Sequence, residues 1–247
     1  MVESMRLLIS VKNKEEAHEA VQGGGHIIDV KNPDEGALGA NFPWVIRQVR
    51  EVVPTNIEVS ATIGDLPNLP GASSLAALGA TVSGVDYVKA SLYGVKSAYQ
   101  ASYLLKEVCR ATKEQNKATK VIAAGYADYN EIGCINPLEI PEIVHAVGAD
   151  GAMIDVNIKN RGGLFQYFSD DQLLKFVEES HEYGLKVSLA GSIEKKDLGR
   201  VYKLGTDIVG VRRAVCQDKD RLKGSVQRTA VQELINEIKI LNAKIIY

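Results

Sequence analysis

The chain has 247 residues, is 45% hydrophobic and 24% charged, and carries a formal net charge of −2 at pH 7. That balance excludes the clustered excess of positive charge that a nucleic-acid footprint needs. No apolar run approaches the ~20 residues of a membrane span, whereas ~250 residues is the usual size of one α/β barrel and long enough to bury a sizeable core.

Met1-Val2-Glu3-Ser4-Met5 carries no signal-peptide pattern. Cys109, Cys134 and Cys216 are scattered and odd in number, as expected of free thiols in a reducing cytoplasm. His18, His26, His145 and His181 lie far apart, none at helical spacing to another, so no metal site is expected. No GxGxxG follows a strand, so no dinucleotide cofactor is indicated.

Arg6 to Ser10 reads as a short buried strand. Asn13, with Glu16 three residues on, caps a helix that stops at Gly23-Gly24. His26-Ile27-Ile28-Asp29-Val30-Lys31 is a second strand, whose alternation puts Ile27, Asp29 and Lys31 on one face. Pro43 opens a helix with Val45, Ile46, Val49 and Val52 on its stripe, and Pro54 ends it. Ile57 to Thr62 is a third strand, followed by a long loop and an Ala-rich helix from Ser73 to Ala80.

Tyr87 to Ser91 is a fourth strand that turns Tyr87, Lys89 and Ser91 to one side. A helix from about Val95 carries Ala98, Ala101, Leu104, Leu105, Val108 and Ala111 on one stripe. Lys120 to Tyr126 is a fifth strand, and Pro137 and Pro141 mark the entry to a short helix ending near Gly148. Gly151 to Asp155 is a sixth strand ending in a carboxylate. The loop from Asn157 to Phe168 contains Lys159 and Arg161 and has the length of a lid or binding loop. Ser169 with Gln172 is a capping box for the next helix. Lys186 to Ala190 and Ile208 to Arg212 are the seventh and eighth strands, and a last helix from about Val226 to Leu241 buries Val231, Leu234, Ile235 and Ile238.

Strand and helix thus alternate about eight times with no linker between them. His26, Asp86, Asp150 and Asp207 precede the even-numbered strands, each roughly 60 residues from the last. Together these features predict an α/β fold of one domain, residues 1–247, as a single (β/α)8 TIM barrel. A doubly wound open sheet is the alternative, and it would need a switch point.

In such a barrel the C-terminal strand ends meet at one mouth. That mouth would gather Asp29, Lys31, Lys89 and Asp155, with Lys159 and Arg161 leaning in from the sixth loop. Any one of these charges is most simply a solvated strand end. Two lysines and two aspartates together are costly as a stability device, and make sense as catalysis. A desolvated lysine beside another cation becomes a nucleophilic amine able to form an imine, and its neighbours can move protons. Gly191-Ser192-Ile193 and Gly210-Val211-Arg212, after the seventh and eighth strands, are the expected phosphate site. There Arg212 would supply a full positive charge.

The runs Ile28-Asp29-Val30-Lys31-Asn32-Pro33, Gly36 to Trp44, Val59 to Asp65, Ala123 to Asp128 and Leu189 to Ile193 closely resemble the (5-formylfuran-3-yl)methyl phosphate synthase family of methanofuran biosynthesis. The family is also called 4-(hydroxymethyl)-2-furancarboxaldehyde-phosphate synthase. The resemblance runs from Met5 to about Arg221, leaving the residues before Met5 as an extension. It implies a (β/α)8 relative of the Schiff-base aldolases that joins two molecules of glyceraldehyde 3-phosphate, with loss of phosphate and water.

By position, Lys31 matches that family's Schiff-base lysine and Lys89 its proton-accepting lysine; Asp29, Asp155 and Lys159 match further functional positions. Arg213 stands where the family pattern has glycine, and Gln217-Asp218-Lys219 replaces a more glycine-rich stretch. The resemblance therefore implies a cytoplasmic lyase without cofactor or metal. Its partner is a phosphorylated aldehyde, with no nucleic acid and no membrane, and a homo-oligomer is expected. The rivals are another class I aldolase acting on a sugar phosphate, and a non-catalytic barrel that senses a phosphometabolite.

Overall fold

The computed structural model describes residues 4–243, so most of the expected extension before Met5 lies outside the described residues. Eight strands run β1 (Arg6–Val11), β2 (Ile27–Val30), β3 (Glu58–Thr62), β4 (Tyr87–Ser91), β5 (Lys120–Tyr126), β6 (Gly151–Asp155), β7 (Lys186–Leu189) and β8 (Ile208–Val211). They pair in parallel in chain order, and β8 closes on β1, giving the expected barrel. Around it stand α1 (Lys14–Gln22), α2 (Pro43–Val52), α3 (Pro70–Val82), α4 (Ala98–Gln115), α5 (Tyr129–Ile132), α6 (Ile140–Val147), α7 (Leu164–Tyr167), α8 (Asp170–Glu182), α9 (Leu198–Lys203) and α10 (Arg228–Ala243). No helix among the described residues is long and apolar enough to cross a membrane.

The strands are covered on both faces, and their composition follows from that. Outward positions such as Leu7, Ile9, Ile28, Val30, Val59 and Val88 join the helix stripes in one continuous core. Inward positions change character along the axis. Leu8, Ile27 and Ile208 form an apolar cluster inside the barrel, whereas Ser10, Asp29, Ser60 and Lys89 stand above them, buried and polar.

Several boundaries differ from expectation for local reasons. α4 begins at Ala98, not near Val95, because the Ser97 hydroxyl accepts the Gln100 N–H as its cap. The Val95 carbonyl instead accepts the Ile135 N–H at 2.7 Å and holds a loop. α3 extends past Ser73 to Pro70, whose missing N–H suits the first turn. α5, α7 and α9 are four to six residues long, too short to display a 3.6-residue period.

The repeat at the even strands has a physical basis. At the N-terminal end of the barrel, His26 Nδ1 accepts the Leu7 N–H, and the carboxylates of Asp86, Asp150 and Asp207 accept those of Val59, Val121 and Val187, all at 2.7–2.9 Å. Each acceptor thus satisfies a backbone donor on the preceding odd strand. Basic side chains back the carboxylates: Arg50 on Asp86, Lys113 on Asp150, and Lys186 on Asp207, which also meets the His181 ring at 3.0 Å. The barrel is sealed by the chain ends, where the Asn242 side chain accepts the Met5 N–H and donates to the Met5 carbonyl, both at 3.0 Å.

Asp150→Ala is therefore expected to cost about 1–3 kcal/mol, the penalty for an orphaned donor, while kcat stays unchanged because the site is at the other end. Urea unfolding with parallel kinetics checks this; full stability, or a fall in kcat, would contradict it.

Candidate active site

Alternation along β2 turns Asp29 into the barrel between Ser10 of β1 and Ser60 of β3, its partners in register. Both hydroxyls donate to the carboxylate, Ser10 Oγ at 2.9 Å and Ser60 Oγ at 2.6 Å. From β4, Lys89 Nζ reaches it at 2.7 Å. Burial by itself would push the Asp29 carboxyl up. The Lys89 and Lys31 charges and the hydrogen bonds from Lys89 and Ser60 outweigh it and hold the group below the usual carboxylate range. A second pair lies across the mouth: Asp155, at the end of β6, takes an ion pair from Lys159 and the Val156 N–H at 2.7 Å. Burial would raise it too, but Lys159 and Lys31 bring it down.

Lys31 stands between these pairs and pairs directly with neither carboxylate. Its Nζ donates to the Ala37 carbonyl at 3.2 Å, and the residue is 6% exposed. Burial is the main influence on it; Asp155 and Asp29 favour the charged form, and Lys159 and Lys89 oppose it. The result brings the ammonium down from 10.5 to about 7. At neutral pH a large fraction of this amine is unprotonated, with two carboxylates and two further lysines acting on it.

Lys31, Lys89, Asp155 and Lys159 open on a solvent-connected cavity whose lining also includes Gly191, Ser192, Gly210 and Arg212. Gly191 has φ +108, and a Cβ there would fall 2.7 Å from Val156 Cγ2, so glycine is required. Ser192 follows at φ +58. The backbone at this corner can therefore approach a ligand closely, as anion sites require. No α-helix starts directly after β7 or β8. Short 3₁₀ turns stand there instead, at Lys195–Asp197 and Arg213–Val215.

Two of the expected cations have protein partners of their own. Arg212 reaches the cavity wall, but its guanidinium is occupied. It donates to both Glu16 oxygens at 2.8 and 3.3 Å, to the Ser10 carbonyl at 3.0 Å and to the Arg221 carbonyl at 2.7 Å. Four of its five N–H groups are thus satisfied by protein, and its charge is neutralised by a buried carboxylate from α1. Arg161 turns away from the mouth to Glu131, at 3.0 Å; only Lys159 of that loop leans in.

The cations the sequence reading left without a role are Arg213 and Arg221, both on the cavity wall. Arg221 donates to the Gly36 carbonyl at 2.9 Å. Burial, opposed mainly by Asp155, lowers its hold on its proton. It comes from an irregular stretch where no period announces direction. In that stretch Asp218 and Lys219 adopt φ +54 and +53, the left-handed region that glycine fits best.

A closed (β/α)8 barrel with a buried lysine–carboxylate cluster at its C-terminal mouth has the build of an α/β-barrel enzyme. The family model of 4-HFC-P synthase matches residues 7–235, and the chain belongs to that family of enzymes. It is 52% identical to the (5-formylfuran-3-yl)methyl phosphate synthase of Methanococcus aeolicus over 231 residues, 94% of this chain and 98% of that one. It is equally 52% identical to that of Methanocaldococcus jannaschii over 230 residues, 93% of this chain and 98% of that one. Among solved structures it resembles KGPDC from Streptococcus mutans, with TM-score 0.67 and 14% identity, covering 97% of this chain and 99% of the other. It also resembles a 3-hexulose-6-phosphate synthase, with TM-score 0.66 and 19% identity, covering 94% and 99%. At these identities the structural likeness concerns the fold.

Because Arg212 and Glu16 are buried together, Arg212→Ala leaves a carboxylate without its counter-charge. It should lower stability by about 3–5 kcal/mol. Denaturant unfolding reads this directly; a variant that folds as stably as the parent but shows only a raised KM would return Arg212 to the substrate.

Proposed function

We propose that the protein condenses two molecules of glyceraldehyde 3-phosphate to 4-(hydroxymethyl)-2-furancarboxaldehyde phosphate, with loss of phosphate and water. It acts as a carbon–oxygen lyase in methanofuran biosynthesis in the cytoplasm. The observation that carries this reading is Lys31: a buried amine brought down to about 7, inside the barrel mouth, with no carboxylate paired to it. The names of the close relatives supply the product.

In this reading the Lys31 amine attacks a triose carbonyl, and loss of water leaves an imine. That cation acidifies the adjacent carbon, and proton removal there leads to elimination of the phosphate one carbon further on. The second triose phosphate is isomerised and added by an aldol step, the product dehydrates and closes to the furan, and hydrolysis of the imine frees the aldehyde and regenerates the Lys31 amine. Lys89, locked to Asp29, and Lys159, locked to Asp155, each form a cation–carboxylate unit that accepts and returns protons on either side of Lys31. The backbone N–H groups around Gly191, Ser192 and Gly210 receive phosphate, and Arg213 and Arg221 take over the charge first expected from Arg212. No step calls on a cofactor or a metal. The homo-oligomer belongs to the same proposal, supported by the outer face of α3, where Leu75, Leu78 and Val82 are exposed on a helix without a charged residue.

Borohydride reduction with glyceraldehyde 3-phosphate is expected to add mass to the Lys31 peptide. Labelling should climb as pH rises through about 7, since the neutral amine is the nucleophile. Adducts on Lys89 alone would exchange the two roles, and absence of any adduct would remove the imine. A furan aldehyde formed from glyceraldehyde 3-phosphate alone separates this activity from that of another aldolase.

Asp155→Asn should lower kcat by roughly 10²–10⁴-fold with a much smaller change in KM, as loss of a group acting in the transition state does. Steady-state kinetics showing an unaltered kcat would make Asp155 structural.

A further inference from the structure

Beside the mouth lies a polar network that the proposed steps leave unused. Tyr126 ends β5 in register with Asp155, and its ring is fully buried against Ala37 and Leu38. Its hydroxyl donates to Asp65 Oδ1. The phenol has one proton, so the 2.8 Å contact with Ser91 Oγ runs the other way, the serine donating to the tyrosine. Ser91 Oγ in turn accepts the Tyr93 N–H at 3.0 Å. Burial, and then Asp65, push the Tyr126 phenol well above its ordinary value, so it remains a donor.

The other oxygen of Asp65, Oδ2, accepts the Leu38 N–H at 3.1 Å. Gly36, at φ +140, passes so close that a Cβ would fall 2.3 Å from that oxygen. Between Gly36 and Leu38 lies Ala37, whose carbonyl takes the hydrogen bond of Lys31 Nζ. One side of the turn is thus fastened to Asp65, and the other is fastened by Thr62 Oγ1 and the Asn32 N–H, which both donate to the Gly39 carbonyl.

We propose that Asp65 and Tyr126 are positioning residues: they pin the Gly36–Gly39 turn over the mouth so that the Ala37 carbonyl aims the Lys31 amine and keeps water from it. The inference rests on the reading of Lys31 as the imine-forming lysine. A hydrogen bond from Nζ to Ala37 engages one N–H of the neutral amine and so restricts its lone pair to the two remaining tetrahedral positions. The covering turn maintains the desolvation of Lys31 against the groups that act on its charge, Asp29, Lys89, Asp155 and Lys159. With no exposed surface, Tyr126 acts through this turn and not by touching substrate.

The test is borohydride trapping of the Lys31 peptide with glyceraldehyde 3-phosphate, between about pH 6 and pH 10, on wild type, Tyr126→Phe and Asp65→Ala. A loosened turn admits water to Lys31, which then keeps its proton to higher pH. Initial labelling at about pH 7 should fall roughly tenfold in both variants and return to within about twofold of wild type above about pH 9. Asp65→Asn, which keeps an acceptor for the Leu38 N–H, should recover much of the loss. Thermal unfolding establishes that the variants fold, and Tyr126→Phe, which removes one hydroxyl, decides if Asp65→Ala does not. Wild-type labelling at both pH values, or an equal loss at every pH in a folded variant, overturns the positioning role. An unlabelled Lys31 in wild type instead refutes the parent reading.

Discussion

A carboxylate with no exposed surface, enclosed by a closed sheet, is tolerable only if its surroundings replace the water it has lost. Asp29 has that replacement from three strands at once: hydroxyls from β1 and β3 and an ammonium from β4. Removing any one would leave a charge short of a partner where the effective dielectric is low. The registers of β1–β2, β2–β3 and β3–β4 are therefore tied to electrostatics as well as to packing. A slip of one residue would turn Asp29 into the apolar outer layer. The apolar lower interior and the polar upper interior meet at this side chain.

Around Asp29 the mouth divides its charges by task. Lys89 and Lys159 each hold a carboxylate, Arg212 holds the buried Glu16, and these three cations are neutralised locally. Lys31 is left in a pocket whose net field does not compensate for burial, which is why its proton is loose. Burial, with the other charges paired among themselves, thus leaves one amine without a counter-charge, as the proposed imine chemistry requires. Arg221 and Arg213, the latter also facing Glu194 at 3.8 Å, line the same cavity, where in the proposed reading they meet the anion.

Much of this was legible in the sequence because period-two alternation states direction within a strand. Asp29, Lys31, Lys89 and Asp155 interrupt apolar runs, and the fold places all four in the mouth as the alternation implied. The even-strand repeat was visible as a spacing, although only the structure shows that its polar side chains each cap a donor of the neighbouring strand. Arg212 shows where the method stops. Its place after β8 was readable, but its partner Glu16 is on α1, at the other end of the chain, and nothing local links the two. Arg221 lay in a stretch without period. The departure from a glycine-rich pattern at Asp218-Lys219 does correspond to a backbone feature, two successive left-handed residues, each tolerated at a cost of about 1–2 kcal/mol. Asp65 and Tyr126 lay inside runs that carry the family resemblance, but nothing local pointed to the role proposed for them, since that role depends on a turn that belongs to neither element.

The interlock of Met5 with Asn242 bears on how the molecule is made. A ribosome delivers β1 roughly two hundred residues before the strand that covers its open edge, β8, and before the Asn242 side chain that fastens its start. Until β8 emerges, that edge of β1 exposes a row of unpaired backbone groups, the template for aberrant association that closed barrels otherwise abolish. Arg212 and Arg221 arrive equally late, so the nascent polypeptide can assemble its lysines and aspartates well before it has a finished mouth. The barrel's first strand is thus the last to be sealed, and chaperone demand for this barrel should concentrate in that interval.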